Sequence, residues 1–306
     1  MNNKGLTLSI VFKANSANYG ENFNNMSVLK KFTRGDGNNY TYISRQSLRY
    51  EIVRILKFNS PDCLWKKDKD SVIQYKYDAK IDKYPEMDLF GYMKTQEKTS
   101  KKKNDSNEDN ADSTNNKTLI RSAVVRLNNA VSLEPYNSDM EFMNNMGFAK
   151  RIEKDSNIFQ KEIHNSLYSY TVTIDLDEIG EDKNDDIHLP KEEKARRVNL
   201  LLQSLKLLYK EIKGNSQSFI PLFIIGGLYD RKNPYFDEKI IVKDNKLNIE
   251  RLLDAINIDE DVTKNTEIGY FSGTFDNEKD VLEKLHPEKI QIFFDNLCKK
   301  VEEYYA

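Results

Sequence analysis

From Tyr168 to Leu176 the chain alternates without a break: Tyr168, Tyr170, Val172, Ile174 and Leu176 fall on one side, and Ser169, Thr171, Thr173 and Asp175 on the other. A period of two sustained this long predicts a strand with one face buried. Leu6, Leu8, Ile10 and Phe12 alternate in the same way with Thr7, Ser9 and Lys13, and Phe219 to Ile225 is a continuous apolar run, the pattern of a buried central strand. Helical periods lie between these strands. Ser44 suits an N-cap ahead of a Leu48, Ile52, Ile55, Leu56 stripe. Pro190 opens a long amphipathic helix carrying Val198, Leu201, Leu202, Leu205, Leu208 and Ile212, with Gly214 as its expected stop. Residues 119–133 read as extended. The order is therefore strand, helix, strand region, strand, helix, strand, which is the split βαβ order of an α+β, RRM-like or ferredoxin-like sheet with helices on one face and the other free for a ligand. A doubly wound α/β fold can present the same elements.

The remaining sequence reads as insertions and additions. Residues 15–40 form a polar, Gly/Asn-rich loop, and residues 59–97 are mixed. Between Lys98 and Thr118 the only apolar residue is Ala111, so this low-complexity stretch is expected to be disordered. Residues 134–165 look irregular. A helix is expected after Asn248, and a terminal helix after Pro287 carries Ile290, Phe293, Phe294, Leu297 and Val301.

Several function classes are excluded by what is missing. The sequence has no P-loop spacing, no H-E-x-x-H and no G-x-S-x-G. His164, His188 and His286 lie in separate segments, and the acidic runs at 175–186 and 254–261 do not follow the EF-hand pattern, so neither a metal nor another cofactor is expected. Cys63 and Cys298 form no C-x-x-C pair, which fits a reducing, cytoplasmic setting. The longest apolar stretch, Phe219 to Leu228, is about half of what spans a bilayer, so no membrane association is expected.

Charge is uneven along the chain. The formal net charge is −2, yet residues 1–60 carry nine basic side chains (Lys4, Lys13, Lys30, Lys31, Arg34, Arg45, Arg49, Arg54, Lys57) against three acidic ones (Glu21, Asp36, Glu51). That local excess suits a polyanion. Within it, Arg34-Gly35-Asp36-Gly37 sets a flexible backbone beside a cation, and the helix after Ser44 begins with Arg45 and Gln46. Arginine at a helix start opposes the macrodipole unless an anion sits there, so Ser44, Arg45 and Gln46 are read as a phosphate site. Arg49 lies one turn on, able to reach the same anion, while Arg54 points away. Lys30, Lys31, Asn18, Tyr19, Asn38, Tyr40 and Tyr42 supply types that contact phosphates, sugars and bases.

The segment Tyr42-Ile43-Ser44-Arg45-Gln46-Ser47-Leu48-Arg49, with Arg54 beyond it, resembles the Ser-Ser-Gln-x-Leu-Lys/Arg helix start of the CRISPR-associated backbone subunits, the Cas-seven family of the RAMP superfamily. SANYGE (16–21), LKKFTRGDG (29–37), YTYISRQSLRYEIVR (40–54), EIHNSLYSYTVTIDLDEIG (162–180) and GGLYDRKNP (226–234) are similar to its type I-B branch, often called DevR. The resemblance implies a discontinuous RRM-like palm (1–58 and 166–306), a helical fingers lobe inserted at 59–133, and an extended thumb at 134–165. It also implies that copies polymerise along a guide crRNA in an antiviral Cascade complex with other subunits, and expose the guide for pairing with target DNA. Each thumb then folds over the RNA of its neighbour and displaces a base, with Phe142 and Met143 as thumb residues. Gln46 and Arg49 fall on positions that grip guide phosphates. Arg45 departs from the pattern, standing where the family has a second serine. Two other readings compete: a metal-assisted RAMP ribonuclease using Asp36, whose lack of acidic neighbours suits Mg²⁺ poorly, and a DNA-binding regulator, for which no helix-turn-helix is visible.

Overall fold

We describe residues 4–23, 25–66, 72–95 and 118–306 of the protein from a computed structural model. The low-complexity segment lies outside the described residues except for Thr118, which opens a strand. Six elements form the framework: β1 (Gly5–Asn15), α1 (Arg45–Leu56), β2 (Ala130–Ser132), β3 (Asn165–Asp175), α2 (Lys191–Lys206) and β4 (Phe223–Tyr229). The four strands stand in the order β4-β1-β3-β2, each antiparallel to its neighbour, at the centre of a nine-stranded sheet. Val125–Leu127, just before β2, also pairs with β3. Strands Asn39–Ile43 and Lys31–Thr33 extend the sheet beyond β2, and Glu267–Tyr270 and Glu288–Lys289 extend it beyond β4.

The alternation in β1 and β3 explains the register. Leu6 stands opposite Ile174 and Phe12 opposite Tyr168, so the apolar sets of both strands share one face. They are buried there against Leu48 and Ile52 of α1, Val198, Leu201 and Leu205 of α2, and Phe293, Leu297 and Val301 of the terminal helix Ile290–Tyr305. Each such side chain stabilises the fold by about 1.5–3 kcal/mol. On the other side of β1, β4 can approach because Gly226 lacks a side chain: a Cβ would sit 1.9 Å from the Thr7 carbonyl oxygen.

The structure corrects several expectations. α2 ends at Lys206, and Gly214 instead serves a hairpin in which Tyr209–Ile212 pairs with Asn215–Ser218. Lys213 and Gly214 both have positive φ, the geometry of a two-residue turn that matches strand twist. β4 starts at Phe223, because Pro221 has no N–H for a ladder; Phe219 packs ahead of it on Phe12. The stretch 15–40 is mostly short strands, Tyr19–Phe23, Met26–Leu29, Lys31–Thr33 and Asn39–Ile43. The second sheet face is not wholly free: Val11, Leu167, Phe223, Ile225 and Tyr229 are covered by Phe236, Ile240 and helix α3 (Ile249–Ile256), while the part nearer β2 opens into a groove.

The insertion before β2 is less helical in its described part than expected. Among the described residues it holds one six-residue α-helix, Pro85–Phe90, and two antiparallel strand pairs, one of which joins Tyr92–Thr95 to Thr118–Arg121. No 3.6-residue stripe runs through this segment. It is fastened by buried charges: Asp88 accepts from Arg121 Nη2 (2.8 Å), Arg197 Nη1 (2.8 Å) and the Gly180 N–H (3.0 Å), and Lys94 donates to Asp185 at 2.6 Å. Residues 134–165 are more regular than expected. Asp139–Asn144 pairs antiparallel with Ile158–Ile163, and Met146–Arg151 is a short helix between them.

Candidate nucleic-acid interface

α1 follows directly on the strand Asn39–Ile43, and its capping defines the site. Ser44, in extended conformation, accepts from the Ser47 N–H (3.3 Å) and also from Asn18 Nδ2 (3.3 Å). Asn129, from the turn before β2, accepts from the Arg45 N–H at 2.9 Å. Two of the four N–H groups that a helix start leaves unpaired are thus taken internally. Arg45 and Gln46 stay exposed, and the first turn contains no acid to offset them.

Beside this helix start lies a groove of about 950 Å³. Its cationic wall consists of Lys30, Arg34 and Arg45, with Ser44 and Gln46. Its floor follows one row of cross-strand partners, Ser169–Val131–Tyr42, extended by Phe32, whose ring centroid is 5.8 Å from that of Tyr42. The far wall comes from the segment that covers the sheet: Asp237, Glu238, Ile240 and Ile241, with Arg251 of α3. Cations on one side and flat apolar or aromatic surface below suit a single nucleic-acid strand, phosphates on the cations and bases on the floor.

Lys30, Arg34, Tyr42, Ser44, Arg45 and Gln46, all singled out from the sequence, come together in this groove. Arg34 is aimed by stacking, its guanidinium 4.5 Å from the Tyr40 ring centroid. The turn behind it closes through the Gly37 N–H donating to the Arg34 carbonyl (3.0 Å), with Gly37 at φ +77°. Asn18 sits behind the wall and orients Ser44. Lys31 and Arg49 are placed elsewhere. Lys31 pairs with Glu162 (2.6 Å) and lies over the Tyr136 ring, joining the strand pair 139–163 to the sheet edge. Arg49 pairs with Glu86 (2.9 Å) and lies over Phe90, and Arg54, pointing away, meets its neighbours Glu51 (2.8 Å) and Tyr209. Asp36 accepts from the Tyr40 hydroxyl (2.7 Å) and from the Asn38 N–H (3.0 Å) and Nδ2. The Tyr40 bond foremost holds its carboxyl below the usual range, and the same bond raises the Tyr40 phenol.

Sequence reasoning missed Asn128, Asn129, Asp237, Arg251 and Lys210. Lys210, on the hairpin after α2, is buried with its ammonium 2.5 Å from Ser47 Oγ in the first turn of α1. Burial pushes its pKa down, and the nearby charge of Lys30 pushes the same way against Glu51. An anion at the helix start would relieve that repulsion. Among the described residues no group of three or more His, Cys, Asp or Glu could hold a metal ion, and no helix is long and apolar enough to cross a membrane. Phe142, by contrast, is 67% exposed and Phe148 66%, both on the 139–163 strand pair and its connecting helix, where Met143 is half-buried.

The fold has known counterparts. Residues 6–248 match the family described as CRISPR-associated negative auto-regulator DevR/Csa2, and the chain belongs to that family. Among solved structures, it is similar to a chain of a "CRISPR RNA-guided surveillance complex, pre-nicking", with 11% identity and a TM-score of 0.56 over 97% of this chain and all of that one. A chain of another "CRISPR RNA-guided surveillance complex" gives 12% identity and a TM-score of 0.52 over 99% of this chain and all of that one. At such identities the likeness is one of fold. No curated protein matches.

Proposed function

We propose that the protein is a non-enzymatic guide-RNA-binding backbone subunit of a type I-B CRISPR surveillance complex in the cytoplasm. In this reading the β4-β1-β3-β2 sheet with α1 and α2 is an RRM-like palm, and residues 134–165 are a thumb. Copies line up along one crRNA beside other Cascade subunits and hold it for pairing with target DNA. The observation that carries the reading is the groove: Lys30, Arg34, Arg45 and Gln46 line it together, and the groups available there suit phosphate contact and base stacking rather than sequence readout. Family membership and the two structural likenesses support it. The exposed aromatics of 134–165 suit contact with another copy. Against the ribonuclease alternative weighs that Asp36 already accepts hydrogen bonds from Tyr40 and Asn38 within its own turn.

The test is the salt dependence of single-stranded RNA binding. Arg45→Ala reduces the slope of log K against log salt by about 0.7, the share of one phosphate on a single strand, and weakens scrambled sequences equally. An unchanged slope, or a strong preference for one sequence over its scramble, contradicts the reading. Arg49→Ala has the smaller effect, because Arg49 must leave Glu86 before it meets a phosphate.

A further inference from the structure

The groove is not cationic all round. Asp237 stands with Glu238 and Arg251 on the far wall, where two carboxylates accompany one guanidinium, and it is held in place from the sheet: Thr171 Oγ1 donates to Asp237 Oδ1 at 3.2 Å and shares a 2.8 Å hydrogen bond with Ser9 Oγ. The Asp237 N–H is fixed as well, donating to the Pro234 carbonyl at 3.0 Å. Among the described residues no hydrogen bond is made to Oδ2, so this carboxylate keeps acceptor capacity at the groove. A carboxylate repels phosphates. A strand lying here therefore runs its phosphates along the Lys30–Arg45 side and turns its sugar edges toward Asp237.

On ribose that edge carries a 2′-hydroxyl, a donor that a carboxylate accepts well; deoxyribose brings no donor and leaves the acid facing it unpaired. We infer that Asp237 is a specificity-determining residue that makes the groove favour RNA over DNA by accepting from a ribose 2′-hydroxyl. This inference rests on the groove being a nucleic-acid site and adds which sugar it selects. Asp237 acts on a preformed platform, because the Ser9–Thr171 hydroxyl pair orients it before any strand arrives.

The experiment uses the full chain and three strands of one sequence, RNA, 2′-fluoro RNA and DNA, in an anisotropy titration at fixed salt. Wild type binds RNA about tenfold or more tighter than either of the other two, the worth of one hydrogen bond to a charged group. Asp237→Asn keeps an amide oxygen for Thr171 but removes the charge, so it brings RNA and DNA affinities to within about threefold, weakening RNA and strengthening DNA. A ratio unchanged by Asp237→Asn, with the variant melting at the wild-type temperature, overturns the inference and leaves Asp237 a loop anchor. Equal wild-type affinity for RNA and 2′-fluoro RNA overturns it without any variant. Wild type that binds none of the three strands overturns the nucleic-acid reading of the groove itself.

Discussion

Removing the Asp88 carboxylate is the perturbation whose cost the structure fixes most clearly. Asp88 is 0% exposed and joins three segments of the chain, accepting from Arg121 of the insertion, Arg197 of α2 and the Gly180 N–H after β3. Asp88→Ala leaves two buried guanidinium groups without their carboxylate. Both retain other acceptors: Arg197 has the Ile81 and Asp82 carbonyls and Glu193, and Arg121 has the Glu178 and Glu181 carbonyls. That places the charge term at the low end of the range for breaking a buried pair, about 3 kcal/mol. The Gly180 N–H, left unsatisfied, adds about 1–2 kcal/mol. The expected loss is about 4–5 kcal/mol, read as a lower urea midpoint with little change in slope by circular dichroism. Asp82→Ala serves as control, since its backbone carbonyl rather than its carboxylate meets Arg197, and it stays within about 0.5 kcal/mol. A loss below about 1 kcal/mol for Asp88→Ala refutes the argument that this hub fastens the insertion.

Two further outcomes are expected. Alanine at Phe142 and Met143 leaves the melting temperature of the isolated protein nearly unchanged while weakening cooperative loading on long RNA, because Phe142 is exposed and Met143 only half-buried; a loss of several kcal/mol places them in a core instead. Glu193 is held down to about 2, foremost by Arg196 and then by Arg197, so its carboxylate stabilises the fold above about 4.5 and that stability is lost as pH falls toward about 2. Glu193→Gln flattens the acid limb of a stability–pH profile, and an unaltered limb shows that the pairs contribute nothing.

The long strands were legible because each has a period of two with one side wholly apolar, and β1 and β3 meet along that side. The start of α1 was legible from Ser44 standing ahead of the Leu48, Ile52, Ile55, Leu56 stripe. What failed was local pattern with a distant cause. Gly214 carries the same signal as a helix stop or as a hairpin turn, and only the pairing of Tyr209–Ile212 with Asn215–Ser218 decides between them. Strands such as Met26–Leu29 and Asn39–Ile43 find partners at 158–163 and 130–132, more than eighty residues away, so residues 15–40 show no period of their own. The covered second face was hidden because Thr7, Ser9 and Thr171 read as solvent-facing, whereas Thr7 donates to the Asn233 carbonyl and Ser9 bonds to Thr171, which donates to Asp237. The groove's cationic wall was legible because its residues fall within 30–46 and keep their charge free of the fold. Lys31 and Arg49 have the same chemistry but carboxylates nearby in space, Glu162 and Glu86, which the sequence does not reveal. Asn129, Lys210, Asp237 and Arg251 arrive singly from distant segments of a chain already rich in those types.

In the proposed function this chain holds guide RNA as one of several copies. The direct measurement is the nucleic acid that co-purifies with the protein when it is expressed with its guide and partner subunits, sized on a denaturing gel and tested with ribonuclease and deoxyribonuclease. The account predicts RNA of one discrete length, lost when Arg34, Arg45 and Gln46 are all replaced by alanine. Absence of nucleic acid from the purified complex, a heterogeneous smear that the triple variant retains, or bound DNA in place of RNA contradicts it.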